Sequence, residues 1–181
     1  MSAAADSVLR DVVGHLDART VGSALIGAHA IALHGAPRAT IDTDLLVADP
    51  VCLDAAFWAP LASAGHDVDV RVGDPEDPLR GVVRIGPQDA HEVDVVVPRG
   101  AWVADIITRA IPTSLRGTRV RVATAADLIL LKLYAGGPGD LRDIRSILDT
   151  PAGPDARIDV EQRIGGLPRA VRTAWKRLRA E

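Results

Sequence analysis

Apolar residues recur at helical spacing over positions 6–18, where Val8, Leu9, Val12, Val13 and Leu16 follow the capping candidates Asp6 and Ser7, and this predicts an opening helix. VGSALIG at 21–27 predicts a short buried strand, and AHAIALHG at 28–35 a short helix closed by Gly35. IDTDLLV at 41–47 predicts a second strand and CLDAAFWAPLASAG at 52–65 a helix. Extended segments follow at 66–72, 81–86 and 91–97, with GDPEDP as the loop between the first two, and they are expected to run antiparallel. Positions 101–111 read as a helix, 117–123 as a strand and 123–137 as a helix stopped by Gly136 and Gly137; 141–150 is a short helix packing back on it. From 151 to 181 Pro and Gly punctuate the chain, which ends in a basic amphipathic helix.

Alternating helical and extended segments call for one mixed unit, and 181 residues with 48% apolar content are enough for one sizeable core. Aromatic residues make up only 3%, so Val, Leu, Ile and Ala must fill that core, and no platform for stacking bases is visible. A net charge of -3 argues against coating nucleic acid by bulk charge; any polyanion contact must be local. The single cysteine, Cys52, excludes an internal disulfide and a multi-cysteine zinc site, and it is expected to be a small buried hydrophobe. The first residues carry acids and an arginine where a signal peptide needs an apolar core, and no run approaches the roughly 18 apolar residues of a membrane span. The expectation is a soluble, cytoplasmic protein without a membrane partner.

Candidate chemistry centres on Asp42 and Asp44. In a strand both would point to one face, with Cα atoms roughly 6.5–7 Å apart, and paired carboxylates suit hard cations such as Mg²⁺. The plain alternative is a polar strand edge. Gly27 sits where a strand turns into a helix, a place for phosphate oxygens or simply for a turn. Arg38 and Thr40 share the parity of the two acids; Arg38 could contact phosphate, brace a carboxylate or make a surface ion pair. Asp94, an acid among valines in HEVDVVV, is the best third carboxylate, since burying it calls for a partner or a metal; Glu92 is the reserve. The rival pair, Asp67 and Asp69, alternates with Val68, Val70 and Val72 and reads as a solvated strand face. Lys132 lies inside an apolar helical run, either snorkelling or serving as a mobile point charge for phosphate. Asp140 and Asp143 sit near a helix start, where they cap it or orient Lys132 or Arg142. His29 and His34 read as packing or surface histidines, and no zinc site is implied.

The series G-A-H-A-x3-H-G-x2-R-x-T-x-D-x-D, then V-D-V-V-V, then D-L-I-L-L-K-L-Y-A-G-G-P-G-D-L-R-D-I resembles the nucleotidyltransferase superfamily, specifically its small AbiEii/MenT-like branch, over about residues 20 to 150. The resemblance implies an α/β (α+β) fold: a mixed, largely antiparallel sheet flanked by helices, with a short helical C-terminal region. It implies a catalytic domain at 1–150 and a basic helical extension at 151–181 packed on the same unit. Two Mg²⁺ ions would be held by Asp42, Asp44 and Asp94, and an NTP by Gly27, Ala28, Arg38, Thr40, Lys132, Asp140 and Asp143. A nucleoside monophosphate would pass to an acceptor hydroxyl, on a tRNA 3′ end or a protein, as in a toxin with a cognate antitoxin. The alternatives are a small-molecule (antibiotic) nucleotidyltransferase and a non-catalytic nucleotide-binding or interaction module. The branch usually has a small polar residue or glycine where this chain has Ala28, and commonly an arginine where it has Gly137; Arg142 or Arg145 would have to replace that charge.

Overall fold

The computed structural model describes residues 3–37, 40–87 and 92–180. Helix α1 (Ala3–Ala18) leads into β1 (Ser23–Ile26), α2 (Gly27–Leu33) and β2 (Thr43–Val47). Helix α3 (Ala59–Ser63) precedes β3 (Asp67–Val72), β4 (Leu79–Gly86) and β5 (Val93–Pro98). Then come α4 (Trp102–Arg109), β6 (Ile111–Leu115), β7 (Thr118–Val122), α5 (Ala125–Ala135), α6 (Asp140–Leu148), α7 (Gly153–Arg163) and α8 (Arg169–Leu178). The strands form one seven-stranded sheet in the order β3-β4-β5-β2-β1-β7-β6. Only β1/β7 and β2/β5 pair in parallel; the other neighbours are antiparallel. The result is the expected α+β architecture, a mixed and largely antiparallel sheet flanked by helices.

Sheet register decides what faces what. Directly opposed residues share a face, so the row Ile26, Asp44, Asp94, Arg84, Asp69 crosses five adjacent strands on one side. Residues of the other parity, Thr43, Leu45, Val47, Val83, Ile85, Val93, Val95 and Val97, are almost wholly buried on the opposite side. A slip of one residue would exchange the two sets, which is why a buried valine face pins the register of the acids. Helix α1 packs against β4, β5 and β7 through Val8, Leu9, Val12, Val13 and Leu16. Each fully buried side chain of this kind contributes about 1.5–3 kcal/mol gross. The same apolar core continues through Val160, Ile164, Leu167, Val171 and Trp175 of the last two helices and the turn between them.

Three sequence expectations change. The helix expected at 52–65 is broken into two 3-10 turns, Pro50–Leu53 and Ala55–Trp58, before α3. Asp49 and Asp54 cap these turns by accepting from the Val51 and Ala56 amides at 2.9 Å, and Trp58 donates to the Cys52 carbonyl at 2.7 Å, so local bonds outcompete a continuous helix. The helix expected to run to 111 stops at Arg109, and Ile111–Leu115 is a strand that the sequence reading missed. It lies at the sheet edge, where Pro112 is tolerated, and it joins β7 through the two-residue turn Arg116-Gly117. The strand bearing Asp44 starts at Thr43, so Thr40 and Asp42 lie outside it and strand parity does not place them. The helical extension expected at 151–181 contains two helices, α7 and α8, of which only the last was placed from its pattern. Cys52 is buried as expected, and burial pushes its thiol up to about 12.

Helix α5 is anchored at its start by a buried charge. Asp127 is fully buried, accepts from Arg109 Nε and Nη2 at 3.2 and 2.7 Å and from the Thr124 hydroxyl at 2.8 Å, and lies 3.3 Å from Arg163 Nη1. It thereby ties α4, α5 and α7 together. Removing one member of a buried ionic cluster strands the others. Because Arg109 and Arg163 keep partial solvent contact, Asp127→Ala is expected to lower unfolding free energy by about 2–3 kcal/mol rather than the full 3–5, measured by urea denaturation.

Candidate active site

Asp44 and Asp94 are register partners on the parallel strands β2 and β5, and both are half-buried on the same face. Parallel neighbours stand about 4.8 Å apart, so the two carboxylates rise side by side. Arg84, opposite Asp94 on β4, brings Nε to 3.8 Å from Asp94 Oδ1. The sequence reading passed over Arg84, although its parity in GVVRIG against VDVVV marks it as a cross-strand partner. Asp69 continues the row on β3 and is paired with Arg71 at 2.7 Å, while Asp67 is exposed. The rival acids therefore share the sheet face of Asp94, with Asp69 separated from it by Arg84 and Asp67 further out.

Gly27 closes the other side of Asp44. Its φ is +66°, a conformation that favours glycine, and a Cβ there would stand 1.8 Å from Asp44 Oδ2. Two independent constraints thus demand glycine. The residue before α2, Ile26, has no side chain that can cap it, so the Asp44 carboxylate is the polar group set against the start of this helix. Ala28 is buried and offers the site only its backbone.

Asp42 is exposed, and its carbonyl accepts from Thr40 Oγ1 at 3.2 Å and is 3.1 Å from His29 Nδ1. The second ring nitrogen, Nε2, lies 3.0 Å from Arg116 Nη2. Since a guanidinium only donates, Nε2 accepts and the proton sits on Nδ1. Burial and the charge of Arg116 pull His29 below its ordinary value, which keeps the ring neutral. His29 is therefore more than the packing residue expected, whereas His34 does pack, against the Ala123 carbonyl at 2.8 Å. Arg38 lies outside the described residues.

Lys132 and Asp44 line the same cleft of about 300 Å³, bounded by Gly27, Leu46 and Val96 on one side and by Leu128, Leu131 and Tyr134 on the other; Asp94 does not line it. The Lys132 ammonium is not mobile. Asp140 and Asp143 hold it at 2.8 and 2.7 Å, and Asp140 also accepts from the Gly137 amide at 2.6 Å. A side chain at 137 would press on that carboxylate, 3.1 Å away. Burial pulls the Lys132 ammonium down, but hydrogen bonds and charge from the two acids outweigh it and hold the group above the ordinary lysine value. Arg142 is exposed beside a separate, larger cavity of about 580 Å³ that also borders Asp143 and the loop at 35–37. Arg145 lies instead at a smaller surface recess next to Arg157 and Leu178. Tyr134 donates to the Pro78 carbonyl at 3.1 Å and meets Trp102 edge-on at 5.0 Å, closing the apolar end of the cleft; the sequence reading assigned it no role.

Among the described residues, no three His, Cys, Asp or Glu side chains converge tightly enough to hold a metal ion by themselves. Magnesium does not require this, because it keeps several waters and takes one or two protein carboxylates together with substrate phosphates. The hard oxygens of Asp44 and Asp94, adjacent in register beside the uncapped start of α2, fit that mode. No helix among the described residues is long and apolar enough to cross a membrane.

No protein-family model and no curated protein sequence matches the chain. Solved structures do. The chain is similar to the solution structure of the antibiotic-resistance factor ANT(2'')-Ia, with 12% identity over 91% of this chain and 94% of that one and a TM-score of 0.57. It is similar also to the crystal structure of ANT(2")-Ia in complex with adenylyl-2"-tobramycin, with 13% identity over 95% and 97% of the two chains and a TM-score of 0.54. An antigenic nucleotidyltransferase-like protein from Paracoccidioides brasiliensis shares 18% identity over 94% and 93%, at a TM-score of 0.49 that adds nothing to the argument. At these identities the likeness is one of fold, and the fold is nucleotidyltransferase-like.

Two outcomes follow from the packing. Gly27→Ala is expected to destabilise by about 1–2 kcal/mol through its backbone conformation alone, with a further penalty from Asp44. That further penalty should shrink in an Asp44→Ala background, which removes the carboxylate but leaves the Cβ at 3.0 Å, giving a coupling of about 1 kcal/mol in a double-mutant cycle read by urea denaturation. For Lys132, a raised folded-state value means that its contribution is complete below the unfolded value of about 10.4 and is lost as pH rises through the folded one. The stability gap between wild type and Lys132→Met should therefore be constant from neutral pH to about 10 and shrink above it.

Proposed function

We propose that the protein is a Mg²⁺-dependent nucleotidyltransferase that moves a nucleoside monophosphate from an NTP to an acceptor hydroxyl. The observation that carries this reading is the in-register pair Asp44 and Asp94, set between the Gly27 turn and the Lys132 clamp within a nucleotidyltransferase-like fold. The acceptor oxygen bonds to the α-phosphorus, the bond from that phosphorus to the oxygen bridging to the β-phosphate breaks, and pyrophosphate leaves. Mg²⁺, if held by these carboxylates, would supply charge neutralisation at the phosphate oxygens and a lowered pKa for the acceptor hydroxyl. Asp42 and Asp44 would hold two ions and Asp94 one of them, with Asp94 taking the hydroxyl proton. The backbone N–H groups at Gly27 and Ala28 would hold triphosphate oxygens, together with Arg38 and Lys132. Asp140 and Asp143 keep Lys132 aimed into the cleft, and Thr40 serves the site through the Asp42 carbonyl.

For the acceptor, this reading takes a hydroxyl of a tRNA 3′ end or of a protein, and with it a toxin held in check by a cognate antitoxin. In the basic tail, Arg163, Arg172 and Arg179 are bound within the chain, which leaves the exposed Arg169, Lys176 and Arg177 of α8 to meet RNA phosphates. A second reading, a small cationic acceptor such as an aminoglycoside-like antibiotic, is favoured by Asp67 and Asp69 on the face shared with Asp94 and by the fold likeness to a protein solved with adenylyl-2"-tobramycin.

Incubation with Mg²⁺ and each labelled NTP, with total tRNA, with an aminoglycoside or with neither, should transfer label to one acceptor and name it. Asp42→Asn and Asp44→Asn are each expected to reduce transfer by roughly 10²–10³-fold or more, the scale of losing one preorganised electrostatic group, without changing the melting temperature. Undiminished transfer in either variant removes that residue from the mechanism. NTP binding with no transfer to any acceptor would make the chain a nucleotide-binding module instead.

A further inference from the structure

We infer that Arg116 and His29 are positioning residues that hold the Asp42 segment from the β6–β7 hairpin, an assignment that rests on the metal role proposed for Asp42. Asp42 lies one residue before β2, so the sheet ladder does not hold it from both sides. A chain of side chains does that work: Arg116 Nη2 donates to His29 Nε2 at 3.0 Å, and His29 Nδ1 donates to the Asp42 carbonyl at 3.1 Å. Thr40 Oγ1 donates to the same carbonyl at 3.2 Å. Two donors on one carbonyl fix the peptide plane from which the Asp42 carboxylate departs.

The hairpin itself points to a role for the Arg116 side chain. Leu115 pairs with Thr118, leaving Arg116 and Gly117 as a two-residue turn with φ of +50° and +78°. Such turns favour asparagine, aspartate or glycine at the first position, because an ordinary side chain is crowded there. Arginine is a poor choice for that backbone. What it supplies is reach: its guanidinium spans 87 residues of sequence to a ring that touches Asp42. A strained backbone at a residue whose head group serves a candidate site is the pattern from which function is inferred.

Substitution can separate the two roles. Arg116→Asn relieves the backbone and deletes the guanidinium, so it should leave the melting temperature unchanged or raised while weakening Mn²⁺ binding, a spectroscopic stand-in for Mg²⁺, by about tenfold. His29→Ala should weaken Mn²⁺ to the same degree. His29→Asn, whose amide nitrogen can take the place of Nδ1, should recover part of that loss. Binding followed by electron paramagnetic resonance, with thermal melts on the same samples, reads all of these. Wild-type Mn²⁺ affinity in Arg116→Asn overturns the inference, as does a loss of affinity matched by a loss of melting temperature. If the wild-type protein binds no Mn²⁺, or if Asp44→Asn binds it as well as wild type, the metal reading fails, and this inference fails with it.

Discussion

The contact on which the site depends is the absence of an atom: Gly27 has no Cβ, and Asp44 occupies the space one would fill. That approach sets the β1–α2 turn hard against β2 and aims a carboxylate across the uncapped start of α2. Beta-strand β2 then hands the arrangement to β5 by register, because a one-residue slip would turn buried Leu45 and Val47, or Val93, Val95 and Val97, to the acid face. The acids are thus positioned by apolar residues pointing away from them. Charge at the site is a consequence of hydrophobic packing on the other side of the sheet.

Charge compensation follows the same economy around α5. At its start, fully buried Asp127 gathers two arginines; near its end, Lys132 is gripped by two carboxylates from α6. The first cluster fixes the helix relative to α4 and α7, and the second fixes an ammonium relative to the cleft. Both place opposite charges where burial would otherwise penalise each alone. A lysine held in this way has a fixed position at the wall of the cleft, its charge already met by two carboxylates.

Much of this was legible in the sequence because it rests on local pattern. Periodicity located α1, the three-stranded run β3 to β5 and α5, and the Gly27 and Asp44 motif stood out because glycine and acidic residues are rare inside apolar runs. What could not be read depends on pairing. Ile111–Leu115 has a proline and two hydroxyl residues in five, which hides a strand that an edge position tolerates. The partnership of Arg84 with Asp94 depends on strand register, and that of Arg116 with His29 spans 87 residues, beyond any local window. Lys132 was identifiable as unusual, but not as immobile, because its two acids come from the next helix. The break at 50–58 was written in capping aspartates that a hydrophobic pattern outshone.

One consequence lies in the order of the strands. Beta-strands β2 and β5 are neighbours in the sheet, yet β3 and β4 intervene between them in the chain and fold outward to one edge. The chain therefore runs out through β3 and back through β4 before Asp94 comes to lie beside Asp44, and the return strand serves both faces, with Val83 and Ile85 in the core and Arg84 against Asp94.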